Sequence, residues 1–506
     1  MKKRRLVISS ILLFAFALFL LFPYLQLEYA YVPSKDKQVN GISMENGTIQ
    51  PFSTTSDNVT SDQIALGEEM FFKESFGNEV FFTDILGLFN GPLTISNMGK
   101  AILKLRGQGT SNLQVEAAED FQAGNISIKK GDLIDTGLDV AEGAVTPIGI
   151  KLTLDEGRVK AGITCALCHA TVDRNGQVIS GNPNSDLNVG LTLALGTNSA
   201  SYLTHTELEA IEKFVTDNAR MVETTTGERV PLPDQEKLEQ FVDSELVKWP
   251  PGSNDTTIDK RNNPVQSMDT YTAGDHPYGW SGQGGTGPFK GLSAAINNAH
   301  AQNMDALSQS ELSNAVLEID KELYLGVMLQ NAANPKYKYD PAKGKKPSEF
   351  LKTVDPTPDS PGVIELVKSS TFPKISYMTS TGLFTGSPGY GAWEQINAMS
   401  AFMNQLSPPK TELPEEKNTM KEGERVFNRA GCSASHGGEY YSNNRLIPVE
   451  EIGTNPSRAG SFAKFELQFD PSPKLFTFDT TIPLPENPQT FRIDMSSEQE
   501  EQLLMG

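Results

Sequence analysis

The stretch Cys165-Ala-Leu-Cys168-His169 constrains this chain more than any other. It holds two of the three cysteines and one of the five histidines in 506 residues. On a helical turn, positions i, i+3 and i+4 project from one face, so both thiols and the imidazole can address a single bound group. Cys-x-x-Cys-His is the attachment pattern of c-type haem. The thiols add to the two vinyl groups of the porphyrin, and the adjacent imidazole lies beneath the iron as an axial ligand. Three other readings compete. A thioredoxin-like dithiol wants a βαβ context, which the surrounding sequence lacks. A zinc site needs a fourth ligand, and the other histidines are scattered. A structural disulfide across the turn would leave His169 incidental. Three cysteines are an odd number and too few for a disulfide framework. Haem is the favoured reading.

The N-terminus bears on where such a group could be attached. Lys2, Lys3, Arg4 and Arg5 precede the run Leu6 to Phe22, apolar apart from two serines. Extended to Leu27, a helix there would be about 33 Å long, enough to cross a bilayer core. The basic flank holds the N-terminus in the cytoplasm, so the rest of the chain is exported. A cleaved signal peptide is the competing reading. The apolar run is long for one, and bulky Tyr29 and Tyr31 stand where a small-residue cleavage site would be. The expectation is a signal anchor over residues 1–27, with the bulk of the chain in the periplasm or at the cell exterior. A formal net charge of -20 argues against nucleic-acid binding, which needs clustered Lys and Arg.

Residues 28–60 are polar and aperiodic and read as a tether. Beyond them few stretches alternate with period two, and the chain reads as mostly α with long irregular loops. Thr204 with Glu207 forms a capping-box pattern ahead of Leu208, Ile211 and Phe214; Ser308 with Glu311 repeats it ahead of Leu312, Ala315, Ile319 and Leu323. A helical pattern over Gly391 to Leu406 runs into a Pro-rich, charged linker at 407–416. The expected organisation is a first helical domain over 61–406 and a second over 417–506. Gly423, Glu424 and Phe427 in the second echo Gly67, Glu68 and Phe71 near the start of the first. Each copy leads to a cysteine-histidine motif. In the second, Cys432 and His436 keep the spacing of Cys165 and His169, but Ser435 replaces the second cysteine. That leaves single-thioether attachment through Cys432 and iron ligation by His436 open, alongside an empty, degenerate site.

These residues together resemble the bacterial dihaem c-type cytochromes, the superfamily of dihaem cytochrome c peroxidases and rubber-oxygenase-like proteins. The resemblance rests on "CALCH", on "GERVFNRAGCSASHGG", on "GAWEQINAMSAFMNQLSPP", which looks like the helix that closes a cytochrome c unit, and on "GTNPSRAGSF" after the second motif. It implies two cytochrome c-like helical units, each with a Gly-x-x-x-Phe helix packed against a closing helix, and one or two haem c groups. Two departures stand out: Ser435, and a chain that stops where the family continues, so the second unit reads as truncated.

The sixth iron ligand is not fixed by spacing. Candidates at the first haem are His300, Met304 and Met268, each also readable as an ordinary core or surface residue. Tyr278 and Trp280 lie in a Gly-rich loop, and Trp280 is a candidate relay between haems or a packed aromatic. The leading functional expectation is a membrane-anchored c-type cytochrome passing single electrons to a redox partner protein or a membrane electron-transport chain. The alternative is a dihaem peroxidase or oxygenase. No phosphate-binding loop and no Ser-His-Asp arrangement is readable.

Overall fold

The computed structural model describes residues 27–39, 61–271, 313–354, 398–409 and 417–436, less isolated positions within them, with a few short pieces elsewhere. The apolar run Leu6–Phe22, Tyr278, Trp280, His300, Met304 and most of the stretch after His436 lie outside the described residues.

The mostly helical expectation behind a transmembrane helix is corrected. The described residues are 38% helix and 16% strand, with several small sheets. Among the described residues no helix is long and apolar enough to cross a membrane. Residues read as the end of an anchor and the start of a tether instead form strand β1, Leu27–Tyr29, at the edge of a three-stranded antiparallel sheet. Its partners are β2, Ile150–Asp155, and β3, Arg158–Ile163, paired from Ile150 opposite Ile163 to Asp155 opposite Arg158.

This hairpin hides from pattern reading because two of its buried positions are lysines. Lys151 and Lys160 are each 6% exposed. Lys151 Nζ lies 3.1 Å from Glu28 and 3.5 Å from Glu79, and Lys160 Nζ lies 3.3 Å from Asp84. Burial alone would lower the Lys151 ammonium; the carboxylates of Glu79, Glu74 and Glu28 outweigh it and raise it. Buried charges persist in proteins when paired in this way. The carboxylates come from β1 and from the chain around a π-helical turn, Val80–Ile85, so the ion pairs bind the hairpin to both.

Helix α1, Ser61–Lys73, buries Met70, Phe71 and Phe72. It packs against the segment around 398–403: the Phe71 and Phe402 rings are 5.4 Å apart. A Cβ on Gly67 would sit 1.9 Å from the Ala398 carbonyl oxygen, so only glycine permits that approach. Side chains from Met70 to Leu406 make one contiguous core.

Two expected helices differ in detail. Residues 204–215 hold no α-helix: a 3-10 segment, Ser199–His205, is followed by extended chain and a single 3-10 turn, Ile211–Phe214. The reason lies in Glu207, which accepts hydrogen bonds from Asn262 N and Arg261 Nη1, each at 3.1 Å, rather than capping Thr204. In the second case the helix does not run through from 308. A π-helical turn, Ser313–Leu317, ends at Glu318 with φ 58°, and a new helix, Lys321–Leu329, starts on an Asp320 cap that accepts from Glu322 N at 2.9 Å.

Candidate haem-attachment site

Strand β3 delivers the chain to the Cys-x-x-Cys-His turn in a fixed direction. Asn78 clamps its end, donating to the Ile163 carbonyl at 2.7 Å and accepting from Ile163 N at 2.9 Å. The motif forms a single helical turn, Ala166–His169 (α2), with His169 N bonded to the Cys165 carbonyl at 3.1 Å. The turn ends because Ala170 is extended, starting strand β4, Ala170–Val172, which pairs with β5, Val178–Ser180.

One turn of helix is not stable alone; its surroundings hold it. The Cys168 carbonyl accepts from Asn184 N at 2.9 Å and the His169 carbonyl from Gly181 N at 2.8 Å, which answers the orphan carbonyls of the helix end. Asn184 also donates to Gly137 O at 3.0 Å, and Asp139 accepts from Val172 N at 2.6 Å. On the opposite side Gly149, at φ +75°, passes so close that a Cβ would lie 2.1 Å from the Leu167 nitrogen.

Cys165, Cys168 and His169 lie on this one turn. Neither cysteine is in a disulfide, and both are half-buried. Burial pushes Cys165 up to about 12, with the neighbouring Cys168 adding to it. Burial likewise pushes Cys168 up to about 11 against a bond to the Ser267 hydroxyl. Reactive or metal-binding cysteines have the reverse character, a lowered pKa in an electropositive setting. Two neutral buried thiols are poor dithiol nucleophiles, but conversion to thioethers removes the ionisable S–H altogether.

The His169 ring supplies the second test. Its Nδ1 lies 3.0 Å from the Met268 carbonyl oxygen. A carbonyl only accepts, so Nδ1 carries the proton and Nε2 keeps a free lone pair. Burial lowers the imidazole, partly offset by that bond and by Asp269, so the ring is held neutral. A metal-binding histidine needs that tautomer, with its other nitrogen tied to a backbone carbonyl. The donor set fits haem c: Cys165 and Cys168 for the thioethers, His169 for the iron.

The same bond places the Met268 backbone beside the imidazole, on its Nδ1 side. Two other groups near the turn escaped the sequence reading. Met399 is fully buried, with its sulfur 3.8 Å from Cys165 Sγ. Tyr202 lies within electrostatic range of Cys168, stacks on His205 at 4.1 Å, and meets Trp249 edge-on at 6.2 Å. His205 is 2% exposed, and burial lowers it to about 4. No local motif marks these residues, which reach the site through tertiary packing.

The second motif is arranged differently. Helix α3, Lys417–Arg429, leads into a 3-10 turn, Cys432–Ala434. His436 N bonds the Cys432 carbonyl at 2.8 Å, which keeps both residues on one turn. Cys432 is half-buried and His436 exposed. Among the described residues no group of three or more His, Cys, Asp and Glu side chains is placed to hold a metal ion. Comparisons of the chain with protein-family models, curated proteins and solved structures find no match.

Proposed function

We propose that this chain is an exported c-type cytochrome that carries single electrons through haem c. The observation that carries the reading is the pairing of two neutral thiols on one turn with an imidazole whose Nδ1–H is tied to the Met268 carbonyl. When bound, haem c supplies an iron that changes oxidation state by one electron. The protein's part is to hold it. Cys165 and Cys168 anchor the ring edge, His169 presents Nε2, and the clamps at Gly149, Asn184 and Asp139 keep the turn from shifting. Cys432 and His436 are a second candidate attachment point. The basic and apolar start of the chain supports export, which covalent haem attachment suits, since an exported protein has no reservoir from which to rebind a lost cofactor. The partner is a redox protein or a membrane electron-transport chain, reached without nucleic acid.

The test is absorption spectroscopy on protein matured in a host with cytochrome assembly. Covalent haem should survive denaturation and extraction, and be lost when both Cys165 and Cys168 are replaced by Ser. A low-spin spectrum indifferent to peroxide fits an electron carrier. A high-spin component that shifts with peroxide would overturn the carrier reading in favour of a peroxidase.

A further inference from the structure

The two faces of the β1–β2–β3 sheet differ in kind. Directly paired strand residues share a face, and so do residues two apart on one strand. Glu28, Thr153 and Lys160 form a row on one side, where Lys151, opposite Gly162, joins them. Glu79 and Asp84 close that side with ion pairs. Leu27, Leu154 and Val159 form a row on the other side, with Tyr29 and Leu152 in the next. Leu27 is 59% and Val159 45% exposed, Tyr29 is exposed, and Leu152 and Leu154 are half-buried. Val145, 63% exposed, extends the patch, since its backbone bonds the Tyr29 hydroxyl.

Scattered apolar surface residues are ordinary, but a contiguous patch marks contact with protein or membrane. The start of the chain selects the membrane. In sequence the apolar run Leu6–Phe22 ends five residues before Leu27. A run of that length suits a bilayer core, and the gap after it reaches at most about 18 Å. Strand β1 is therefore kept beside whatever surface the run enters. Tyr29 suits that position, because tyrosine gathers at the boundary between lipid and water.

We infer that the apolar face formed by Leu27, Tyr29, Val145, Leu154 and Val159 rests on the lipid bilayer and docks the folded part of the chain against it. The inference rests on the anchored, exported reading of the chain's start and is independent of the haem reading. It adds an orientation. Strand β3 runs from this face into the attachment turn, and the six residues from Val159 to Cys165 span at most about 22 Å. Docking thus keeps the thiols close to a redox partner held in that membrane.

The experiment reconstitutes the full chain, matured in an exporting host, into vesicles of phosphatidylcholine and phosphatidylglycerol. A fraction of the phosphatidylcholine carries a diazirine in its acyl chain, and adducts formed on illumination are mapped by mass spectrometry. Adducts are expected at Val145, Leu154 and Val159. None is expected at Lys160 on the ion-paired face, or at Leu103, an apolar residue outside this sheet that is 79% exposed. Val159→Glu should cut the adducts at Val145 and Leu154 several-fold while the chain stays with the vesicles. Should that variant fail to mature, Val145→Glu is read at Leu154 and Val159 in the same way. Adducts confined to Leu6–Phe22 and Leu27 overturn the inference and leave the anchored reading standing, the result if that run or a second copy covers the face. Labelling of Leu103 equal to that of Val159 overturns it as unselective contact, and so do variants labelled like the wild type. A chain found apart from the vesicles overturns the anchored reading and the inference with it.

Discussion

Replacing Gly149 by Ala tests the packing that holds the attachment turn. Two penalties add at this position. Its φ of +75° is the left-handed region, which costs a non-glycine residue about 1–2 kcal/mol. A methyl group would also lie 2.1 Å from the Leu167 nitrogen and 2.4 Å from its Cα. Those are backbone atoms inside the motif, so either Gly149 or the turn must move, an overpacking cost of about 1–3 kcal/mol. Gly143 is the control: its φ is +77°, and nothing lies within 4 Å of the Cβ it would gain. Gly143→Ala should therefore lose only the first term. In denaturant unfolding monitored by circular dichroism, Gly149→Ala should lose about 2–5 kcal/mol and Gly143→Ala about 1–2 kcal/mol. Covalent haem yield should drop for the first variant and hold for the second. Equal losses in the two, with equal haem yield, would refute the close approach as the element that fixes the turn.

Three further outcomes follow from the same geometry. Lys151→Met leaves Glu79 buried without its cation and should destabilise by about 3–5 kcal/mol. Adding Glu79→Gln should recover part of that loss in the same unfolding assay, and no recovery would mean the pair does not couple. Burial pushes Asp139 up to about 8 from 3.8, with Val172 N–H opposing and Asp186 adding. The folded state then keeps a proton that the unfolded chain sheds near pH 4, so stability should fall as pH rises between about 4 and 8, by about 1.4 kcal/mol per unit. Asp139→Asn should flatten that fall; an unchanged slope would remove Asp139 as its source. Cys432→Ser should lower the haem count by one if the second motif is loaded, and an unchanged count would show that it is not.

Legibility in the sequence tracked the distance over which each contact acts. Cys165, Cys168 and His169 converge because their spacing alone places them on one helical turn. The Met268 carbonyl that sets the His169 tautomer lies 99 residues downstream, and a backbone acceptor has no sequence signature. Met399 and Tyr202 likewise arrive by packing. The segments carrying Phe71 and Phe427 stood out through the Gly-Glu-x-x-Phe pattern they share, and each is a helix. The β2–β3 hairpin was not, since Lys151 and Lys160 sit inside among partners from distant segments. At Glu207 a sound local pattern lost to a tertiary one, because Arg261 and Asn262 take the carboxylate that would have capped a helix.

The mass of the intact mature protein, produced with working cytochrome assembly, addresses the central claim most directly. It should exceed the mass of the polypeptide by one or two haem groups, and that excess should vanish from the site peptide when Cys165 and Cys168 are both changed to Ser. A mature chain that weighs only what its amino acids weigh would contradict the account.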